Sequence, residues 1–190
     1  MKRSVAAIIG LVLAALAALT FVGAPAAAAT PVAASTPFCA IRWGSLAKSA
    51  AGMSTAPLTG VRAGPHACFD RVVLAVAGPV SGYSVRYVTQ VRDQGRGAVV
   101  PLRGGARLEV VARVPANNVT TGAATFSPAN PAALVNVSQF RTLRQVAYGG
   151  SFEGVTTIGV GVRARLPFRV FVLTGPGSAA RLVIDVAHSW

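Results

Sequence analysis

Carboxylates are scarce in this sequence: Asp70, Asp93, Glu109, Glu153 and Asp185 stand against 18 lysines and arginines. Hydrolysis by a pair of acids therefore has few candidate pairs. Histidine and cysteine are limited to His66, His188, Cys39 and Cys68, too few and too scattered for an ordinary metal site. No Gly-rich loop leads into a helix to cradle a phosphate. The nearest approach to a serine nucleophile elbow, Gly149-Gly-Ser-Phe-Glu153, fails at its last position. Nor is there a long amphipathic helical pattern, or a late apolar run long enough to cross a bilayer. These absences argue against an enzyme, and no metal or cofactor is expected.

What is present begins with a leader. Lys2 and Arg3 precede an almost wholly apolar run from Val5 to Val22, and Ala26-Ala-Ala-Ala29 offers small cleavage positions before Thr30. The reading is a secretory signal over 1–29, cleaved near Ala29. An uncleaved anchor is the alternative, because roughly 18 apolar residues can reach across a membrane. Cleavage removes two cations and takes the net charge from +13 to +11. About 160 residues then remain, enough for one domain with a sizeable core. In an exported chain Cys39 and Cys68 are first read as a disulfide, with a thiol or metal pair as the rival. It would close a loop worth about 3 to 4 kcal/mol in chain entropy.

Beyond a small-residue leader at 30–37, Phe38 to Ser49 reads as a segment docked on the domain, carrying Cys39 and Trp43, and Ala50 to Pro57 as a linker. The domain proper is placed at 58–190. Short β-rich runs follow one another between turn residues: Leu58 to Ala63, Arg71 to Ala77, Tyr83 to Gln90, Ala98 to Leu102 and Arg107 to Arg113. A long connection from Pro115 to Val137 is expected, with one helical turn near Pro131 to Val135. Strands resume at Gln139 to Gly149 and Phe152 to Val162. The chain closes on a hairpin, Phe168 to Leu173 and Arg181 to Val186, around Thr174-Gly-Pro-Gly-Ser178. Leu182, Ile184 and Val186 share its core face; Arg181, Val183, Asp185 and Ala187 share the other. The likeness of Arg71–Ala77 to Arg181–Ala187 suggests equivalent strands in two sheets, while the closing hairpin is also read as the partner of the Arg71–Ala77 strand. The pattern predicts an all-β antiparallel sandwich of about 8 strands with a docked N-terminal segment.

Asp70 and Asp185 could act together in hydrolysis only if both line one cleft, about 5 to 10 Å apart. The plainer role for each is pairing with an arginine, such as Arg71 or Arg181, or capping a turn. His66 could serve as a base or ligand, but suits hydrogen bonding to loop backbone beside the disulfide. His188 looks less committed still. Sixteen of the cations are arginines, many on candidate strands or turns, including Arg86, Arg103, Arg107, Arg163 and Arg165. Such a surface attracts polyanions through salt-sensitive fields, although the charge could also be general solvation. Sugar rings stack on flat side chains, which draws in Trp43, Tyr83, Tyr87, Tyr148 and Trp190. Core packing is the alternative for Tyr83 and Tyr87, which share a strand face.

Six segments, Cys39-Ala-Ile-Arg-Trp-Gly-Ser-Leu-Ala-Lys48, Gly64-x-His-x-x-Phe-Asp-Arg-Val-Val73, Gly82-Tyr-Ser-Val-Arg-Tyr87, Phe152-Glu-Gly154 with Ile158-Gly-Val160, Pro167-Phe-Arg-Val-Phe171 and Arg181-Leu-Val-Ile-Asp-Val186, occur in an order and spacing that resemble the AMIN-like domain of secreted actinobacterial proteins. The resemblance covers about Cys39 to His188. It implies a β-sandwich and a non-catalytic envelope module, since the related AMIN domain binds peptidoglycan or a kindred polymer. His66, Asp70, Arg71, Arg181 and Asp185 fall in the shared segments as structural positions. With the resemblance running almost to Trp190, no catalytic domain is expected after it. The expected partner is peptidoglycan or an anionic wall glycan, held on a basic and partly aromatic face containing Arg86, Arg103, Arg107, Arg163, Arg165, Tyr83 and Tyr87. The alternative is a protein-interaction subunit of an envelope complex, using a sheet edge or the 115–137 connection. Chromosomal DNA is not an expected partner.

Overall fold

In a computed structural model, which describes Phe38–Trp190, the runs of β-branched residues become strands with alternating burial. The leader expected over 1–29, and residues 30–37 of the segment after it, lie outside the described residues. A 3-10 turn at Phe38–Ala40 is followed by β1 (Lys48–Ala50), β2 (Leu58–Pro65), β3 (Phe69–Val76), β4 (Tyr83–Val88), β5 (Val91–Arg92) and β6 (Val99–Val100). Then come β7 (Ala106–Ala112), β8 (Leu143–Phe152), β9 (Val155–Val162), β10 (Phe168–Thr174) and β11 (Ala180–Ala187). There is no α-helix among the described residues.

Two antiparallel sheets pack face to face. One has five strands in the order β1-β4-β7-β9-β8, the other four in the order β10-β11-β3-β2, and β5 with β6 makes a separate ribbon. Val85, Leu108, Val110, Ile158 and Val160 of the first sheet meet Val72, Leu74, Phe168, Leu182 and Ile184 of the second. Each is fully buried, at about 1.5 to 3 kcal/mol per side chain relative to exposure. The sandwich expected from the sequence is therefore present, with nine strands in its two sheets. The docked segment supplies one of them, β1, which pairs with β4.

Three details depart from the sequence reading. The similar strands β3 and β11 lie side by side in one sheet, with Asp185 opposite Arg71 and Leu182 opposite Leu74, rather than in two sheets. Both bury their even-numbered residues in the core, so one alternation serves two neighbours. The turn near Pro131 is not helical: the Asn130 side chain accepts the Ala132 N–H at 3.1 Å, and the Leu134 N–H donates to the Val146 carbonyl. β8 starts at Leu143, after a turn in which the Phe140 N–H donates to the Val137 carbonyl.

On the outward side of the five-stranded sheet, Gly159 and Gly161 let residues 101–105 lie across β9. A Cβ at 159 would stand 2.9 Å from Leu102, and one at 161 would run into the Arg103 carbonyl. Leu102 thereby joins Val91 and Ala147 in a small second core.

Candidate functional site

The outward side of the four-stranded sheet gathers cations and rings. Antiparallel register sets Arg169 of β10, Asp185 of β11 and Arg71 of β3 in one row across the sheet. Asp185 has no exposed surface, whereas the side chains of Arg71 and Arg169 are 24% and 33% exposed. Arg71 donates from Nε to Oδ1 at 2.6 Å and from Nη2 to Oδ2 at 2.9 Å; Arg169 donates from Nε to Oδ2 at 2.8 Å. A carboxylate withdrawn from water needs such charge-assisted bonds, and here it has three. The hydrogen bond to Asp185 pushes the Arg71 pKa up, against the opposing effect of burial.

The same two guanidiniums lie against aromatic faces. Arg169 is 5.5 Å from the Trp43 ring, 5.3 Å from Phe69 and 5.1 Å from Phe171, and Arg71 is 5.2 Å from Phe69 and 5.5 Å from Phe171. Trp43 reaches this face because the Cys39–Cys68 disulfide ties its segment to the β2–β3 turn. Its Nε1–H donates to the Phe38 carbonyl at 2.8 Å, and the Phe168 N–H donates to the Gly44 carbonyl at 2.8 Å. Arg62, exposed on β2, and Arg181 belong to the same outward face by register, so four arginines and one buried carboxylate share this face.

The residues singled out in the sequence fall in three other places. Arg86 and Arg107 point outward from the five-stranded sheet, where Arg86 pairs with Glu109 at 2.9 Å, and Arg103 sits on the segment lying across β9. Arg163 and Arg165 occupy the β9–β10 connection; the first donates to the His188 carbonyl, and the second lies 5.0 Å from the Tyr87 ring. Tyr83 and Tyr87 pack against the core. The Tyr87 hydroxyl donates to the Leu166 carbonyl at 2.7 Å, its ring meets Phe168 edge-on at 5.6 Å, and burial pushes its pKa up to about 12.

The proposed acid pair is overturned. Asp70 sits opposite the core residue Val186, whereas Asp185 sits opposite Arg71 on the outward side, so the two point to opposite faces of one sheet. Asp70 is itself buried, accepting the Thr142 N–H at 2.5 Å and the Leu143 N–H at 3.0 Å through Oδ2, with His188 Nε2 3.0 Å from Oδ1. It therefore locks the start of β8 to β3. His188, read from the sequence as uncommitted, is buried in this lock, and its N–H donates to the Cys68 carbonyl at 2.9 Å. Its position past the last strand gave no hint of a buried acid partner. Arg181 donates to the Gly175 carbonyl at 3.1 Å rather than to an acid. His66 is exposed, with its ring stacked on Phe69 at 4.5 Å. No group of three or more His, Cys, Asp or Glu that could hold a metal occurs among the described residues.

The family description of the AMIN-like domain matches residues 56–188. The chain belongs to the AMIN-like domain family. AMIN-like domains are cell-wall-associated binding or targeting modules rather than catalytic ones, and they work outside the cytoplasm. The disulfide of this one suits an oxidising compartment. No helix among the described residues is long and apolar enough to cross a membrane. No curated protein matches the chain significantly.

Within this AMIN-like domain, Phe69, Phe171 and Arg62 are site residues that sequence reasoning passed over. For the two rings the signal lay in Phe69-Asp-Arg71 and Arg169-Val-Phe171, where ring and arginine are two apart and so share a strand face.

Proposed function

We propose that this AMIN-like domain is a secreted, non-catalytic module, exported by a leader cleaved near Ala29. On this reading it holds a cell-envelope polymer, peptidoglycan or an anionic wall glycan, on the outward face of the four-stranded sheet. The observation that carries the reading is the row of Arg71, Asp185 and Arg169 beneath Trp43, Phe69 and Phe171. Asp185 fixes both guanidiniums in place and neutralises one of them. Their remaining N–H groups are left for phosphate or carboxylate oxygens. Trp43 and Phe171, partly exposed beside them, offer stacking surface to a pyranose, with Phe69 buried behind. Arg62 and Arg181 extend the positive field along the sheet, so a repeating anionic chain meets several cations at once.

A second basic surface competes with this one. Arg86, Arg103 and Arg107 share the outward side of the other sheet, but Glu109 offsets Arg86 and no ring is stacked on these arginines among the described residues. Arg163, Arg165 and Tyr87 are tied to the end of the sandwich by the contacts already given, and Tyr83 is packed into the core.

Retention of the mature protein on purified peptidoglycan, with and without its attached anionic polymer, across a salt series tests the reading. Binding should weaken steeply as salt rises, because exposed charges are screened beyond about 8 Å at 0.15 M ionic strength. Absence of retention on both materials at low salt refutes it. A defined crosslinked protein partner in cells, without polymer retention, assigns the domain to an envelope complex instead.

A further inference from the structure

An open groove of about 600 Å³ lies where the 131–144 segment passes Arg103. Its size falls within the range of about 300 to 1,000 Å³ usual for small-ligand pockets. Val135, Val137 and Phe140 supply apolar surface, Asn136 an amide, and Arg103 and Arg144 the only charges in its lining.

Two features show that the groove is built rather than incidental. The buried Gln145 side chain accepts the Arg103 N–H at 2.8 Å and donates to the Ala132 carbonyl at 2.8 Å and the Pro101 carbonyl at 3.3 Å. One amide thus ties both walls together, and little ordering is left for a ligand to impose. Arg144 is held by the Phe140, Leu143 and Arg141 carbonyls at 3.2, 2.9 and 3.3 Å. These neutral acceptors orient the guanidinium without cancelling its charge. Neither Arg103 nor Arg144 has a carboxylate partner among the described residues. A half-buried uncompensated cation beside apolar surface is stabilised by an anion that carries an apolar group.

We propose that this groove binds the C-terminal carboxylate of a short peptide ending in a small aliphatic residue. The carboxylate meets Arg144 and Arg103, and the aliphatic side chain rests on Val135, Val137 and Phe140. The site is separate from the polymer-binding face and does not depend on it.

The test is a titration of the intact mature protein, followed by amide NMR, with N-acetyl-alanyl-alanine in its D,D and L,L forms, its C-terminal amide, and acetate. Either free acid should shift the resonances of Arg103, Asn136, Ser138 and Phe140 with saturation in the millimolar range or better. The amide and acetate should bind at least 10-fold more weakly, and Arg103→Ala should weaken the free acid about 10-fold. The Arg103 side chain makes no hydrogen bond among the described residues, so this variant keeps the fold. A peptide amide that binds as well as the acid, acetate that binds as well as the peptide, or no shift in the groove at millimolar peptide overturns the proposal. Retention of Arg103→Ala on a peptide-free anionic glycan should match the native protein, which separates failure here from failure of the polymer reading.

Discussion

Replacing Asp185 by Asn probes the row of Arg71, Asp185 and Arg169 at its centre. The amide is nearly isosteric, but its nitrogen presents hydrogens where Asp185 now accepts from a guanidinium. One arginine keeps an acceptor and the other faces a donor. Removing one member of a fully buried ion pair costs about 3 to 5 kcal/mol. Here the acid is wholly buried but its partners are 24% and 33% exposed, so water relieves part of the loss and about 2 to 4 kcal/mol is expected. For a domain of this size each kcal/mol moves Tm by about 2 to 4 °C, giving a fall of roughly 5 to 15 °C. Urea unfolding under non-reducing conditions, followed by circular dichroism, measures it. A change below about 0.5 kcal/mol refutes the reasoning, because Asp185 would then not be the buried anchor of two cations. A triple replacement of Arg71 by Met, Asp185 by Leu and Arg169 by Met sharpens the point. Hydrophobic substitution of a buried ionic triad is often close to neutral for stability. The triple variant should therefore recover most of the stability while losing polymer retention.

Other expectations follow from the same packing. Tyr87 holds its proton more tightly folded than unfolded, so the stability this provides is complete below its ordinary pKa of about 10 and is lost as pH climbs towards 12. Tyr87→Phe should lose about 1 kcal/mol with the Leu166 bond at neutral pH, yet show a shallower decline between pH 10 and 12 in chemical denaturation; an unchanged slope removes Tyr87 as the cause. Cys39→Ser should cost about 3 to 4 kcal/mol, from a disulfide joining residues 29 apart, and should also weaken polymer retention because Trp43 loses its tether. Intact retention in that variant would show that Trp43 is held by its other contacts alone. Gly161→Ala should displace the 101–105 segment from β9 and cost about 1 to 3 kcal/mol, and loss of the slow-exchanging Arg103 amide would report it directly.

The strands with clear alternation were legible because each residue pair reports the same inward or outward choice, as Leu182, Ile184 and Val186 do in β11. Lys48–Ala50 and Val91–Arg92 were not, since three and two residues are too short to show a period. The closing hairpin was legible as a partner of the Arg71–Ala77 strand, but the register between distant strands was hidden. Arg71 and Asp185 are 114 positions apart, and only register sets them beside Arg169. The similarity of β3 and β11 carried information about shared burial but none about which sheet holds them. The groove was invisible for a different reason: it depends on the Gln145 side chain joining two loops, and glutamine follows no periodic signal. The arginine excess was plain from composition, whereas its division between two sheet faces follows from alternation within strands that had first to be paired.

The polymer-binding claim rests on one face, and comparing the two faces tests it most directly. Equilibrium retention on purified wall carrying its anionic polymer should be measured for the native protein, Arg62→Glu with Trp43→Ala, and Arg86→Glu with Arg107→Glu. Each pair changes exposed or half-buried positions on one face and leaves Arg71, Asp185 and Arg169 in place. The account predicts at least a 10-fold loss of affinity for the first pair and less than a 3-fold loss for the second. The reverse order, which net charge alone would give because the second pair changes more charge than the first, or equal losses, would contradict it.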